Sequence, residues 1–469
     1  MPKKALFLHP PSGLYRRDDR CQSKVEDQTV RVIFPPLDLA YAAASAERAG
    51  ALCKIIDGPS QNLSWEELTR NITSYDLIML SVTYPTLADD LYAAELAKQY
   101  NPNSKVIARG EIFNIRDKSI LEKNPFLDIV IRGESEQVIE EIIEGKSLSE
   151  ILGITYRNKD EIIRNDDRPY HENLDSLPFP ARHLLDNNLY RSPETGNVLT
   201  TIETGRGCPA ACIFCPVHRV AGKKIRLRSP KSIVDEIKEC LDKYDIKEFL
   251  FHADTFTWNK DWVLELCGLI KEKKLNIRWG CNSRVDTIDK DRLTAMKEAG
   301  CWVVGFGIET GNAETLKRIK KGASLEKALE AFRLCREVGI RSHAFFVIGF
   351  PWETRELLEE NLKFARKLDP DFFDFNIAFP IPGTELYDLV TSEGLYEEKE
   401  SKDGGYGKAS LKTHFLSPEK LEKWRKHALW SLYLRPKYII RTLLQAGSPG
   451  KILQYTKAAI GRMKYLLRS

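Results

Sequence analysis

No stretch of this chain stays apolar for the roughly 18 residues that a bilayer-spanning helix requires, which excludes an integral membrane helix. The first ten residues, Met1 to Pro10, contain no apolar run long enough for a secretory signal. Without a sign of export, the ten cysteines point to a reducing cytoplasm and not to a disulfide framework. An excess of one charge is missing as well. The 71 Lys and Arg nearly balance 67 Asp and Glu, for a net charge of +4, so only the distribution of charge is informative. Apolar content is ordinary at 42%, and 469 residues suffice for two or three domains with cores of their own.

Most of the cysteines are scattered. Cys21, Cys53, Cys240, Cys267, Cys281, Cys301 and Cys335 read as small core residues. The other three, Cys208, Cys212 and Cys215, fall at C-x3-C-x2-C spacing just after the β-prone run 199–204. Glycines flank Arg206, and prolines follow the first and last cysteine. A strand end opening into such a loop lets three thiolates converge, and converging thiolates suit a soft metal. Two readings stand on spacing alone. One is a zinc loop with His218 as a fourth ligand. The other is a [4Fe–4S] cluster, which ordinarily takes four cysteines and here would keep one iron open.

The C-x3-C-x-Φ-C pattern, with Phe214 before the last cysteine, resembles the signature of the radical S-adenosylmethionine (SAM) superfamily. In that family the open iron chelates SAM, and an electron from the cluster cleaves it to a 5′-deoxyadenosyl radical that abstracts hydrogen from substrate. Phrases resembling one large class of the superfamily recur later. They are Phe306-Gly-Ile-Glu-Thr-Gly311, Gly349-Phe-Pro-Trp-Glu-Thr354 and Pro382-Gly-Thr-Glu-Leu-Tyr387.

Residues 1 to about 150 alternate short apolar runs with amphipathic stretches. Strands are expected at 4–8, 52–57, 76–82, 105–108 and 127–131, with helices at 37–50, 65–72, 87–100 and after Gly133. The alternation implies a doubly wound, Rossmann-like parallel sheet whose ligand would lie beyond the strands' carboxyl ends. The domain resembles the cobalamin-binding domain of the same radical SAM class, and Arg132-Gly-Glu-Ser-Glu136 is typical of it. The resemblance places Ser81 and Thr83 near the corrin's nucleotide tail and Gly133 and Glu134 at the cofactor. Two departures stand out. The Asp-x-His-x-x-Gly loop of methionine-synthase-type domains is absent, and members of this class that lack it are thought to bind cobalamin without a protein histidine. The usual Gly-Gly after the fourth strand is Arg109-Gly110, followed by Glu111. A scaffold domain without ligand is the plainer alternative.

Residues 151–195 read as a linker, with a β-hairpin around Asn158-Lys-Asp160 and an extended Leu177-Pro-Phe-Pro180 connector. From 196 to 395 about six βα repeats follow, as in the superfamily's partial (β/α)6 barrel. Polar residues at strand carboxyl ends of such barrels read as active-site residues. Asp254 suits the SAM amino group or ribose. The fork of Arg284 suits its carboxylate, and Glu309 suits ribose or the amino group. The backbone at Ile348 and the ring of Phe214 suit adenine. Lys320-Lys321-Gly322 reads as a solvated helix exit. Tyr84, Cys301 and His343 are the side chains to inspect as a second hydrogen or proton donor.

The last region, 396–469, begins with a loop at 397–405. It continues as a helical, strongly basic tail with Trp424, Trp430, Tyr433, Leu434, Tyr438 and Ile439 interleaved, and ends in a basic amphipathic helix at 451–468. Three readings compete: a membrane-surface helix, a cap on the barrel, and a nucleic-acid stripe. Bulky aliphatics and indoles at helical spacing favour the membrane surface. Similar basic tails occur in cobalamin-type members that modify lipids such as hopanoids. The whole implies a cytoplasmic radical SAM enzyme, peripheral on the membrane's inner face. It would use a [4Fe–4S] cluster, SAM and cobalamin to methylate or rearrange a hydrophobic or lipid substrate, with a flavodoxin or ferredoxin as electron donor. The rivals are a cobalamin-free radical SAM enzyme acting on RNA or a small metabolite, and a zinc-stabilised membrane- or RNA-binding module.

Overall fold

A computed structural model describes residues 1–19, 21–28, 31–397 and 407–446. In chain order the first unit contains β1 (Lys4–His9), β2 (Tyr15–Asp18), β3 (Cys21–Lys24), α1 (Leu37–Arg48), β4 (Leu52–Asp57), α2 (Trp65–Asn71) and β5 (Leu77–Ser81). It continues with α3 (Leu87–Tyr100), β6 (Lys105–Arg109), α4 (Phe113–Lys123), β7 (Ile129–Ile131), α5 (Glu136–Glu144), β8 (Ile154–Asn158) and β9 (Glu161–Arg164). The sheet order is β4-β1-β5-β6-β7-β8-β9. The first five strands are parallel, and β8 and β9 close the edge antiparallel. Alternate residues of β1 enter two different cores: Ala5 and Phe7 pack toward α1 and α5, while Leu6 and Leu8 pack with Leu68 and Ala94 on the other face. Both faces are thus covered, as a parallel sheet requires.

The hairpin assigned from sequence to the linker is therefore part of the first sheet, because β8 supplies the hydrogen bonds β7 would otherwise lack. The short β2–β3 hairpin and α4 were not foreseen. Neither shows clear periodicity, and β2 is a charged run, Tyr15-Arg-Arg-Asp18.

The second sheet is wholly parallel, in the order β10 (Leu199–Glu203), β13 (Glu248–His252), β14 (Arg278–Ser283), β15 (Cys301–Glu309), β16 (Arg341–Ile348), β17 (Phe372–Ile377). A two-stranded ribbon, β11 (Gly205–Arg206) with β12 (Arg226–Leu227), brackets the cysteine loop. The helices on the outside are α6 (Val217–Val220), α7 (Pro230–Tyr244), α8 (Lys260–Glu272), α9 (Lys290–Glu298), α10 (Ala313–Arg318), α11 (Leu325–Val338), α12 (Arg355–Leu368) and α13 (Glu385–Ser392). From α7 to α13 each starts at a Ser, Thr, Asn or Asp whose side chain accepts a backbone N–H of the first turn. The strand-to-helix boundaries are in this way written into the sequence. Then α14 (Pro418–Tyr433) packs Leu421, Trp424, Ala428 and Leu429 into the barrel core, and α15 (Pro436–Ala446) follows. The 451–468 helix, and the 397–405 loop apart from Glu397, lie outside the described residues.

A buried ionic knot ties the connector to the barrel. Glu236 of α7 accepts from Arg182 at 2.6 Å and from Arg228, and all three side chains are almost wholly buried. Removing the carboxylate would strand two guanidiniums out of water. Glu236→Ala is expected to lower unfolding free energy by about 3–5 kcal/mol, read from urea denaturation; a loss below ~1 kcal/mol would mean that the knot is hydrated.

Candidate active site

The cysteine loop is set by its neighbours. Gly207 has φ +93°, and a Cβ there would lie 2.1 Å from the Lys224 carbonyl oxygen, so the turn requires glycine. Its N–H donates to Asp254 Oδ2 at 2.6 Å. The Cys208 N–H donates to Gly222 and the Cys215 N–H to Cys212, each at 3.2 Å. Cys208 Sγ lies 3.9 Å from Thr255 Oγ1. Ile213, between the second and third cysteines, is buried against Leu316, Ile319 and Phe350.

Among the described residues no three His, Cys, Asp or Glu side chains gather closely enough to hold one metal ion. A four-iron cube takes each thiolate on a separate iron, and three cysteines would leave one iron open. Burial pushes the Cys212 thiol up, and nearby Lys321 and Arg284 oppose that rise.

The residues expected around SAM lie close by, but most already have partners. Asp254 fixes the loop through Gly207. The fork of Arg284 is held by Asp286 at 2.8 and 2.9 Å and also donates to the Lys321 carbonyl. Glu309 ends β15 after a register shift and sits at φ +66°, an unusual conformation for a residue with a side chain. Its Oε1 is 2.5 Å from Lys321 Nζ, and both side chains are buried. Lys321 is thus not a solvated exit; it enters the site because Glu309 is there to pair with it. Gly307 leaves the room: a Cβ there would meet Glu309 at 2.4 Å and Lys321 at 2.7 Å. Phe214 leans on Phe350, with ring centres 5.9 Å apart. The Ile348 carbonyl accepts from Ala378, while Glu353 receives the N–H groups of Gly349 and Phe350. Of the three residues marked for inspection, His343 faces the cavity described below and pairs with Asp374 at 3.0 Å. Cys301 is buried, and Tyr84 stands 3.5 Å from the Tyr396 hydroxyl.

Arg206 joins this site to the first unit. Its guanidinium reaches Glu203 at 2.8 Å, Glu134 at 2.9 Å and Glu136 at 2.6 Å. Glu134 also accepts from Arg226 and from the His171 N–H. Gly133 donates its N–H to Asn114 at 2.8 Å. The Arg-Gly-Glu-Ser-Glu run therefore forms the seam between the two units.

At the carboxyl edge of the first sheet, Asp57, His9, Ser81 and Arg109 stand side by side on one face, as the strand registers dictate. Ser81 donates to Asp38 at 2.6 Å, and Arg109 reaches Asp38 at 3.0 Å and Asp19 at 2.6 Å. Burial would raise the Asp38 carboxyl, but His9, Arg109 and Ser81 outweigh it and hold it below the usual range. Thr83, two residues beyond Ser81, is turned to Thr86 and Asp90. The edge keeps buried polar atoms that have no hydrogen bond, among them His9 Nε2, Gln22 Nε2, Arg109 Nε and Glu111 Oε2. Such atoms suit the amide-fringed rim of a corrin.

One cavity of about 1060 Å³ joins the edge of the first sheet to the inside of the barrel, and its lining does not include the three cysteines, Phe214, Arg284, Glu309 or Lys321. It runs from His9 and Arg109 past Arg206 and Asp254 into the barrel. It continues to Trp302, Arg341 and Phe372 at the amino ends of β15, β16 and β17, and reaches Ile439 and Leu443 of α15. At about 3.3 Å per residue it spans the full height of the barrel. Leu250, Val303, Phe345 and Phe372 make its inner wall largely apolar.

Residues 202–365 match the model of the radical SAM superfamily and residues 24–143 that of the B12 binding domain. An uncharacterized methyltransferase of Pyrococcus horikoshii is 33% identical over 448 residues, 94% of this chain and 95% of the relative. The hopanoid C-3 methylase of Methylococcus capsulatus is 25% identical over 398 residues, 82% of this chain and 72% of the relative. The fold is that of the radical S-adenosylmethionine methyltransferase TsrM from Kitasatospora setae, solved with cobalamin and a [4Fe-4S] cluster. The TM-score is 0.71 over 93% of this chain and 92% of that one, at 17% identity. The chain belongs to the radical SAM superfamily, in the class that carries a B12-binding domain before the barrel. It is a radical SAM enzyme whose cofactors are a [4Fe–4S] cluster, SAM and cobalamin, and the zinc-module reading is set aside.

Burial, reinforced by Asp19, pushes the Glu111 carboxyl up to about 8. Below the ordinary value of 4.5 it is protonated whether or not the chain is folded. Between there and about 8 only the unfolded chain ionises, so stability should fall as pH rises through that window, by up to about 1.4 kcal/mol per pH unit, and level off above it. Glu111→Gln is expected to flatten this slope in urea unfolding of the cofactor-free protein. An unchanged slope would assign the titration elsewhere. Gly307→Ala should preserve the fold yet weaken SAM binding at least tenfold, measured by equilibrium dialysis, because the new methyl group displaces the Glu309–Lys321 pair.

Proposed function

We propose that this enzyme methylates an unactivated carbon of a long, apolar, lipid-class substrate. The observation that carries the reading is the cavity: along the barrel Leu250, Val303, Phe345 and Phe372 line it between charged side chains, it opens toward the first sheet, and α15 edges its far end. That helix exposes Ile439, Ile440, Leu443 and Leu444 beside Lys437 and Arg441. Such a face suits a membrane surface, although among the described residues no helix is long and apolar enough to cross one. The hopanoid-methylating relative supports a lipid substrate.

When bound, the cluster and SAM supply a 5′-deoxyadenosyl radical and cobalamin supplies methyl-transfer chemistry; an external reductant such as a flavodoxin or ferredoxin supplies the electron. The protein's part is placement and exclusion of water. Cys208, Cys212 and Cys215 hold the cluster. Glu309 and Lys321 present opposite charges to the SAM amino and carboxylate groups, with Arg284 behind Lys321 and Asp254 keeping the loop closed. Phe214, Phe350 and the backbone at Ile348 and Gly349 bound the adenine. On the cobalamin side we assign Ser81, Gly133 and the row around His9 to the cofactor; Thr83 and Glu134 act as structural supports. His343, oriented by Asp374, faces the substrate. The wall at Val303 and Phe345 holds the chain so that one carbon meets the radical.

In anaerobic assays with a lipid extract, the reconstituted enzyme should form 5′-deoxyadenosine and S-adenosylhomocysteine in comparable amounts. 5′-Deoxyadenosine alone would point to rearrangement or ring closure, and a polar-metabolite extract that supports turnover as well as lipid does would contradict the lipid reading. Val303→Trp, which narrows the channel, should cut methylated lipid at least tenfold while leaving SAM cleavage in place.

A further inference from the structure

The cysteine loop comes to the surface. Pro209 and Ala211, between the first two cysteines, are exposed. Backbone hydrogen bonds fix what stands beside them. On one side the Cys208 N–H donates to the Gly222 carbonyl, which sets exposed Lys223 and Lys224 at that edge. On the other, the Ile213 N–H donates to the Ile319 carbonyl, which brings the end of α10, with exposed Lys317, Arg318 and Lys320, against the loop. Exposed Arg219 donates to the Gly383 carbonyl at 2.8 Å. Lys224 pairs with Glu172 and Lys320 with Glu385, but all four side chains are more than half exposed, so these pairs hold their cations weakly. Among the described residues Lys223, Lys317 and Arg318 have no carboxylate partner. The loop thus carries a basic rim.

A stack of rings leads inward from the same rim. Arg318 lies 3.9 Å from the centre of the Trp352 ring. Trp352 stacks on Phe350, with centres 5.6 Å apart and planes 9° from parallel. Phe350 in turn meets Phe214, the neighbour of Cys215, at 5.9 Å. Trp352 is half-buried, and its Nε1 donates to Thr315 Oγ1 at 3.2 Å, so the ring is fixed. Electron tunnelling weakens steeply with distance and with gaps along the way, and close-packed side chains leave no gap. We propose that the basic rim over the cysteine loop is the docking surface for an acidic electron-carrier protein of the flavodoxin type, with Trp352 at the start of the route to the cluster. The step moves one electron: the carrier's flavin hydroquinone anion becomes the neutral semiquinone, the cluster goes from the 2+ to the 1+ state, and no proton or bond changes place. Complementary charge of this kind steers the encounter and sets its orientation more than it adds affinity. The inference rests on the cluster assignment and is independent of the lipid reading.

The test uses the full-length protein with its cluster reconstituted, no SAM, and flavodoxin as the probe. Binding is read by isothermal titration calorimetry. The double variant Lys223→Glu, Lys320→Glu should bind flavodoxin at least tenfold more weakly at low salt. The unmutated protein should lose affinity to a similar extent at about 1 M salt, where charges are screened within ~3 Å. Stopped-flow reduction of the cluster by flavodoxin hydroquinone should slow in parallel, while reduction by illuminated 5-deazariboflavin, a small donor that needs no docking surface, should not change. Lys243→Glu, on an exposed lysine at the end of α7, should alter neither binding nor reduction. Trp352→Leu should slow reduction even at saturating flavodoxin, and an unchanged rate there would overturn the ring route. Binding and reduction that survive both the charge reversals and high salt would overturn the docking surface. Reversals that slow both donors alike would give the lysines a part in holding the cluster and would overturn it too. So would a variant that loses retention of RNA but is still reduced by flavodoxin at the unmutated rate, which would make the rim a nucleic-acid face.

Discussion

One guanidinium lies at the centre of the contacts that hold the two halves of the enzyme in register. Arg206 sits one residue before the glycine that turns the chain into the cysteine loop, with its side chain only 11% exposed among Glu203, Glu134 and Glu136. A lone cation at that depth would be strongly unfavourable. Three carboxylates, with Arg226 beside them, nearly balance the charge and satisfy its donors. Two of the carboxylates belong to the first unit and one to the barrel, so the loop that carries the cluster and the edge that faces cobalamin are fixed by the same contact. Displacing the clamp would leave uncompensated buried charge on both sides of the seam.

From that seam the rest of the site follows. The cysteines are held from behind by Asp254 and Thr255, and the Glu309–Lys321 pair is set into the space Gly307 leaves. Both use charged groups in a region with little water, where each unpaired charge would be costly. The barrel beyond mixes apolar residues with Glu248, Arg341, His343 and Asp374 and ends at α15, which is anchored by Arg441 to the carbonyls of Asp369 and Pro370 and by Tyr438 to that of Asp371.

Much of this was legible in the sequence. Strand and helix positions came from apolar periodicity and capping residues, and Leu87–Tyr100 falls on the expected bounds. The three cysteines were legible because their chemistry depends on local spacing. What could not be read depends on pairs far apart in the chain. Lys321 looks like part of a solvated Lys-Lys-Gly exit until Glu309 is seen to face it. Glu134 looks like a cofactor contact until Arg206 and Arg226 claim it. The 154–164 hairpin looks like a linker because nothing local says that its partner is β7.

Arg206, next to the cysteine loop, is clamped by Glu134 and Glu136 of the first unit, which would bring the cluster and cobalamin close together. The most direct measurement is the spin relaxation of cob(II)alamin bound to the reconstituted enzyme, with the cluster oxidised and then reduced. Reducing the cluster is expected to shorten the cobalt relaxation time markedly, because the two unpaired spins would then be neighbours across the Arg206 seam. A cobalt relaxation time unchanged by cluster reduction, in protein shown to hold both cofactors, would contradict it.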